Sequence, residues 1–470
     1  MKVLLTHAYF INEDPSEMRI MKPYPPLGIL YISAYLNEKG IENKIFDTTF
    51  TSKAELKKYL TDEKPDYTAI YVNLMTKLNV LEIIKFIKSK NELAKTKIIL
   101  GGPEVRYNAK DLLCHGADFV VIGEGEETFY ELITTLEGKN EKSINNVKSI
   151  AYIDKSGESC FTEERALIKN IDELPFPNRD GININDYQNA WKRKHSQDAV
   201  SVSTMRGCPY TCKWCSRAVY GLTYRRRSPE NVVEELKLIE NQYNPDSLWF
   251  VDDVFTVSHK WLFQFNDELK KNNLRIKYEC ITRADRMNEE VIAVMKESGC
   301  FRVWIGAESG SQKIIDAMDR RVRVEQVQEM IMLAGKYGIQ TGTFIMLGYP
   351  GETENDIEET INHLKISNPD HFTITVAYPI KGTEFFQEIE TNQEDIFKWE
   401  KKSERERDFN RTYPRKYYDF AVRRVVNEVK FHQEINNKSI RPETIIYKSK
   451  SLAAKAGMWL TRNTKWLNSD

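Results

Sequence analysis

The chain predicts an α/β protein made of two successive alternating modules: a doubly wound, Rossmann-like sheet, then a partial (β/α)6 barrel, then a mainly helical C-terminal extension. Three observations predict it. Short β-branched runs alternate with stretches of helical periodicity through the first module. A proline-containing connector interrupts the alternation. A second series with six strand candidates then begins near residue 196. The expected division is 1–140, connector 141–195, barrel 196–380 and extension 381–470. A chain of 470 residues is too long for one ordinary domain.

In the first module, residues 2–6, 44–46, 67–72, 97–100 and 118–122 read as buried parallel strands. Residues 27–36, 80–87 and 128–136 read as helices between them, with Gly40 as the stop of the first. Open sheets of this kind bind ligands beyond the carboxyl ends of their strands. Gly101-Gly102-Pro103 and Gly123-Glu124-Gly125-Glu126 fall there. Glycine lets backbone approach a bulky ligand, although it also serves in plain turns. His7, at the end of the first strand, reads as an ordinary strand-end histidine rather than a metal ligand.

Within the connector, residues 149–153 and 160–162 read as a small hairpin turning at 155–157. The extended Leu174-Pro-Phe-Pro-Asn-Arg-Asp180 reads as an interdomain linker without chemistry. The second series places strands at 199–204, 247–251, 277–281, 302–305, 342–346 and 372–376. A helix opens at Pro229, with Ser228 placed to cap it. As in closed barrels, the C-terminal strand ends should carry the chemistry.

The run Arg206-Gly-Cys-Pro-Tyr-Thr-Cys-Lys-Trp-Cys215 follows the first strand of that series. Its three cysteines, Cys208, Cys212 and Cys215, are one ligand short of a closed zinc or electron-transfer site. Zinc is the alternative, and the pattern downstream disfavours it. Three thiolates on one tight loop suggest a cubane cluster with an open fourth iron.

The run resembles the radical S-adenosylmethionine (SAM) superfamily, whose [4Fe-4S] cluster uses this spacing and binds SAM at the unique iron. In that family the reduced cluster cleaves SAM to a 5′-deoxyadenosyl radical, which takes hydrogen from unactivated carbon. The resemblance implies that Trp214 packs beside cluster and adenine, that Arg283 grips the SAM carboxylate, and that Glu308 contacts SAM. It also implies that Gly348-Tyr-Pro-Gly351, with Gly348 and Pro350, forms the turn near the adenine. Asp252 and Asp253 fall at a cavity-lining position, although either could instead cap the next helix.

With Pro25-Pro26-Leu27-Gly28, the first module resembles the cobalamin-binding domain that precedes many radical SAM barrels. Gly101, Gly102, Pro103, Gly123, Glu124, Gly125 and Glu126 are then the implied cobalamin contacts. The Asp-x-His-x-x-Gly motif that supplies a lower axial histidine in cobalamin mutases is absent, which leaves the lower cobalt face unassigned. The chain as a whole resembles the cobalamin-dependent radical SAM methyltransferases and the related anaerobic Mg-protoporphyrin ester cyclases.

A formal net charge of −1 gives no argument for a nucleic-acid partner. Seven cysteines, three in one loop, do not form a disulfide framework, and no signal peptide or apolar span is visible, so a cytoplasmic setting is expected. Cys114, Cys160, Cys280 and Cys300 read as ordinary thiols.

The expected function is methylation of an unactivated carbon, with a flavodoxin or ferredoxin as reductant. The alternatives are a radical SAM cyclase or rearrangement enzyme that transfers no methyl, and a non-catalytic iron-sulfur or cobalamin sensor. Arg283, Glu308 and the Gly348–Gly351 turn argue against the sensor, which needs no SAM.

Near the end, residues 400–411 read as a solvated charged stretch, and residues 411–418 mix bases with aromatics. The 451–460 segment with Trp466-Leu467 is basic and amphipathic. Docking on the chain's own core is the favoured reading there and membrane contact the less favoured one. The aromatics lean the substrate toward hydrophobic molecules.

Overall fold

The computed structural model describes residues 1–390, 399–401, 405, 409–436 and 442–463. Trp466, Leu467 and part of the charged stretch at 400–411 lie outside them. The chain divides into two compact units: Met1–Pro209 with Ser216–Leu248 and Asp395–Arg405, and Tyr210–Cys215 with Trp249–Glu394 and Glu406–Asp470.

In the first unit, β1 (Val3–His7), β2 (Asn43–Phe46), β3 (Tyr67–Tyr71), β4 (Lys97–Gly101) and β5 (Phe119–Val121) are parallel, as expected. Their order β2-β1-β3-β4-β5 reverses between β1 and β3, the switch point at which such sheets bind cofactors. Both faces are covered. Leu4, Ile70, Ile98 and Val120 pack into one core, and their neighbours Val3, Leu5, Ile99 and Val121 pack into another. This alternation explains why the strands read as continuous apolar runs.

The hairpin forms from β6 (Ile150–Ile153) and β7 (Ser159–Phe161), but it does not stand apart as a connector. It adds to the sheet, with Val121 opposite Ile150 and Phe119 opposite Tyr152. An open β5 edge would leave unpaired backbone groups, and the hairpin covers them. The helices Leu27–Glu38, Lys77–Ser89 and Glu126–Leu136 match those expected. A further helix, Lys53–Glu63, begins with a capping box between Ser52 and Glu55, a signature that the periodicity reading missed.

Strand β8 (Val200–Val202) leads into β9 (Met205–Arg206), which pairs antiparallel with β10 (Arg225–Arg226). The helix Pro229–Tyr243 is capped as expected, with Ser228 accepting from the Asn231 N–H.

In the second unit, β11 (Leu248–Phe250), β12 (Tyr278–Thr282), β13 (Cys300–Glu308), β14 (Gln340–Leu347) and β15 (His371–Val376) follow one another in the sheet as in the chain. All six strands predicted for the barrel series, β8 and β11 to β15, are present. Cys280, Val303, Ile305, Thr343 and Ile345 are buried on one face of this sheet. The other face carries the half-buried Ile281, Trp304, Phe344 and Met346. The extension is helical where described, with Glu384–Glu390, Arg415–Asn436 and Pro442–Thr461.

Candidate active site

The carboxyl ends of β1, β3, β4 and β5 open into a cleft of about 230 Å³. Gly101, Gly102, Pro103, Gly123, Glu124, Gly125 and Glu126 all line it, together with Gly28, Tyr71 and Tyr220. Gly102 has φ +110, and a Cβ there would lie 2.5 Å from the Val72 carbonyl oxygen. Only glycine keeps that rim in place. A cradle edged by glycine and walled by apolar side chains suits a broad, flat macrocycle such as cobalamin.

The two acidic residues of the cleft have another task. Arg206 Nη1 lies 2.7 Å from Glu124 Oε1, and its Nη2 lies 2.5 Å from Glu126 Oε1. Arg225 Nη1 approaches Glu124 Oε2 at 2.8 Å, and the Ile168 N–H donates to the same oxygen at 2.9 Å. Glu124, Glu126 and Arg206 are buried, so the carboxylates are compensated within the protein. The loop therefore presents chiefly backbone and glycine to the cleft. The sequence reading missed Arg206 as the clamp, because nothing local links residue 206 to residues 124 and 126.

His7 is saturated. Its Nε2 lies 2.9 Å from Asp47 Oδ1, its Nδ1 lies 3.0 Å from Thr48 Oγ1, and the Tyr9 N–H donates to Nδ1. Those partners fit the structural role expected for it.

The cysteine run crosses the division between the units, with Cys208 in the first and Cys212 and Cys215 in the second. Cys208 is half-buried, Cys212 buried and Cys215 exposed. Among the described residues no three His, Cys, Asp or Glu side chains converge to hold one metal ion. A cubane needs no such convergence, because each of its cysteines ligates a different iron.

The surroundings of Cys212 test the fit more sharply. Arg283 Nη1 and Arg320 Nη1 lie 3.5 and 3.6 Å from its sulfur. Two buried guanidiniums put positive charge beside this sulfur, a setting that suits an anionic cluster. Arg283 is further held by Asp285 at 2.8 Å and by the Arg320 carbonyl at 2.7 Å, and it lies over the Tyr210 ring at 4.0 Å. Arg320 donates from Nη2 to the Gly306 carbonyl at 3.0 Å, while its buried Nε has no protein partner. Sequence reasoning missed Arg320, which lies outside the strand-end segments.

Glu308 lies 3.6 Å from Arg320. Burial raises its carboxyl pKa, and the attractions of Arg320 and Arg283 only partly oppose that. A bulge between Gly306 and Glu308 shifts the β13–β14 register and leaves Glu308 at φ +64, a conformation rare for a side-chain-bearing residue. A Cβ on Gly306 would meet Arg320 Nη2 at 2.4 Å, so glycine there lets the guanidinium reach the strand. Strain and close approach together make this strand end a candidate site.

Gly348 donates its N–H to Glu352 Oε2 at 2.6 Å, which braces the Gly348–Gly351 turn carrying Pro350. The other Glu352 oxygen is buried without a partner. Burial pushes this carboxyl up to about 8, against the Gly348 hydrogen bond. Trp214 packs against the hydrophobic cluster that contains Ile314, Met318 and Tyr349, with Arg320 over its ring at 5.8 Å. Asp252 is buried and Asp253 exposed. Of the scattered cysteines, Cys114 is exposed, Cys160 half-buried, and Cys280 and Cys300 buried.

Residues 202–364 match the radical SAM superfamily model, and residues 20–133 match the B12 binding domain. An uncharacterized methyltransferase of Pyrococcus horikoshii is 31% identical over 374 residues, 77% of this chain and 78% of that protein. The anaerobic magnesium-protoporphyrin IX monomethyl ester cyclase of Rubrivivax gelatinosus is 26% identical over 85% of this chain and 72% of its own length. Among solved structures, the cobalamin-dependent SAM radical enzyme OxsB with aqua-cobalamin bound aligns with a TM-score of 0.75 at 18% identity, over 98% of this chain and 72% of that one. The radical SAM methyltransferase TsrM from Kitasatospora setae aligns at 0.68 and 17% identity, over 83% and 74%. The chain belongs to the radical SAM enzymes that carry a B12-binding domain.

Proposed function

We propose that the protein methylates an unactivated carbon of a hydrophobic substrate. A [4Fe-4S] cluster on Cys208, Cys212 and Cys215 would bind SAM, and the cleft at the ends of β1 to β5 would bind cobalamin. The division 1–140, 141–195, 196–380 and 381–470 then reads as cobalamin module, a connector whose hairpin extends the module's sheet, radical SAM barrel and extension. Together these groups supply a hydrogen-abstracting radical and a methyl donor when bound.

The chain's own residues do the rest. Arg283 and Arg320 donate toward the Cys212 sulfur, and among the described residues the Arg320 Nε is left as a spare donor beside the bulged Glu308. Glu352 fixes the Gly348–Gly351 turn proposed to face the adenine. Trp304, Phe344 and Met346 give the open face of the sheet an apolar surface, with the Trp304 and Phe344 rings stacked at 5.2 Å. Such a surface favours an apolar acceptor and keeps water from a reactive intermediate.

The observation that carries the reading is the pair of buried guanidiniums at Cys212, which a neutral structural thiol would not need. Kinship to a methyltransferase at 31% identity supports methyl transfer. A low-potential reductant such as flavodoxin or ferredoxin would supply the electron. The second reading, oxidative cyclisation, draws support from the likeness to the Rubrivivax cyclase.

Incubating the reconstituted protein, SAM carrying a deuterated methyl group, reductant and a substrate extract separates the two. Methylation predicts a product that gains the labelled methyl. Continued 5′-deoxyadenosine formation with an unlabelled product would support cyclisation instead.

A further inference from the structure

The helix Pro442–Thr461 has one face against Arg415–Asn436 and the opposite face open. Thr444, Ser451, Ala454 and Met458 are buried on the packed face, where Ser451 donates to Glu428 at 2.7 Å. Its large apolar residues point the other way. Ile445, Leu452 and Trp459 recur every seventh residue at 66, 54 and 69% exposure, and Ile446 and Leu460 widen the stripe at 47 and 65%. At 3.6 residues per turn, these five side chains cover an arc of about 140°.

Charge flanks the stripe mainly with one sign, the exception being Glu443 in the first turn. Between Thr444 and Asn463 there are basic residues and no acidic ones. Lys450 lies along one flank and Lys455 along the other, both exposed. Lys448 and Arg462 share the Lys455 flank, where they reach Glu428 at 3.0 Å and Glu354 at 3.8 Å.

We infer that this helix lies flat on an anionic lipid surface. Its apolar arc enters the boundary between headgroups and acyl chains, where the Trp459 ring is well suited. The lysine stems run along apolar surface while their ammonium groups reach anionic headgroups. A second copy of the chain fits poorly, because pairing these faces sets lysine flanks together with Glu443 as the one acidic side chain of the helix. No helix among the described residues is long and apolar enough to cross a bilayer, so the helix rests on the surface. This departs from the expectation that the segment docks wholly on the chain's own core. The packed face uses Thr444, Ser451, Ala454, Gly457 and Met458, and the tryptophan and leucines are left outside.

Co-sedimentation of the full chain with vesicles tests the inference, using phosphatidylcholine alone and phosphatidylcholine with roughly 30% phosphatidylglycerol. The expected result is binding to the anionic vesicles that salt weakens. Leu452→Glu combined with Trp459→Glu lowers the bound fraction by about tenfold or more, and Lys450→Glu combined with Lys455→Glu removes the anionic preference. Because all four positions are exposed, circular dichroism and Tm should match the wild type. Wild-type protein left in the supernatant with both vesicle types overturns the inference, as does equal binding by the Leu452/Trp459 variant. A lipid-free dimer that this variant abolishes also overturns it, in favour of a second copy.

Discussion

Cys212 sits against two guanidiniums, and its surroundings set what each arginine contributes. Replacing Arg320 with Met removes a cation from the sulfur and leaves the half-buried Glu308 without its nearest partner. We expect a loss on the order of 10–100-fold in 5′-deoxyadenosine formation, with an altered electron paramagnetic resonance spectrum of the reduced cluster. Unchanged rate and spectrum would remove Arg320 from the site. Glu352 gives a stability prediction with a definite sign. Its folded pKa is about 8, above the usual glutamate value, so its neutral form belongs to the native state. Its contribution is fully present below the unfolded pKa and is lost as pH rises through about 8. Melting curves across that window should show Tm falling, and Glu352→Gln should flatten the fall. At this scale the cysteines, Arg283 and Glu308 were legible, because each belongs to a short motif at a strand end. Arg320 and the role of Glu352 were not, because their meaning lies in contacts that the fold creates.

The loop after β5 is held by two distant cations, Arg206 and Arg225. Arg206→Ala would take from the buried Glu126 its guanidinium partner and leave Glu124 only its Arg225 pair, and we expect a cost of about 3–5 kcal/mol in denaturant unfolding. The control is Glu164→Ala, whose pair with Arg106 is solvent-facing and worth about 1 kcal/mol or less. Equal costs would mean that the clamp is not what holds the loop. Gly102→Ala should abolish cobalamin retention, read from the absorption spectrum, because its Cβ would collide with the Val72 carbonyl. Retention at the wild-type level would place the cofactor elsewhere. Strands and most helices were legible from period and glycine punctuation. The addition of β6 and β7 to the sheet was not, since edge pairing depends on which strand is left open. The helix Lys53–Glu63 was legible through Ser52 and Glu55, although its own apolar periodicity is weak.

Over the whole molecule, the order of the two modules was readable because each repeats its pattern several times, and the family comparisons bear that order out. The open face of the last helix was less readable. Amphipathicity alone does not say which side a helix buries, and only the packing of Ser451, Ala454 and Met458 shows that the apolar stripe is the outer one. The central claim is that Cys208, Cys212 and Cys215 carry the cluster that activates SAM. Its most direct measurement is 5′-deoxyadenosine formation by anaerobically reconstituted protein with SAM and reductant, comparing wild type with Cys208→Ala. The account predicts steady formation by the wild type and none by the variant; formation by Cys208→Ala at the wild-type rate would contradict it.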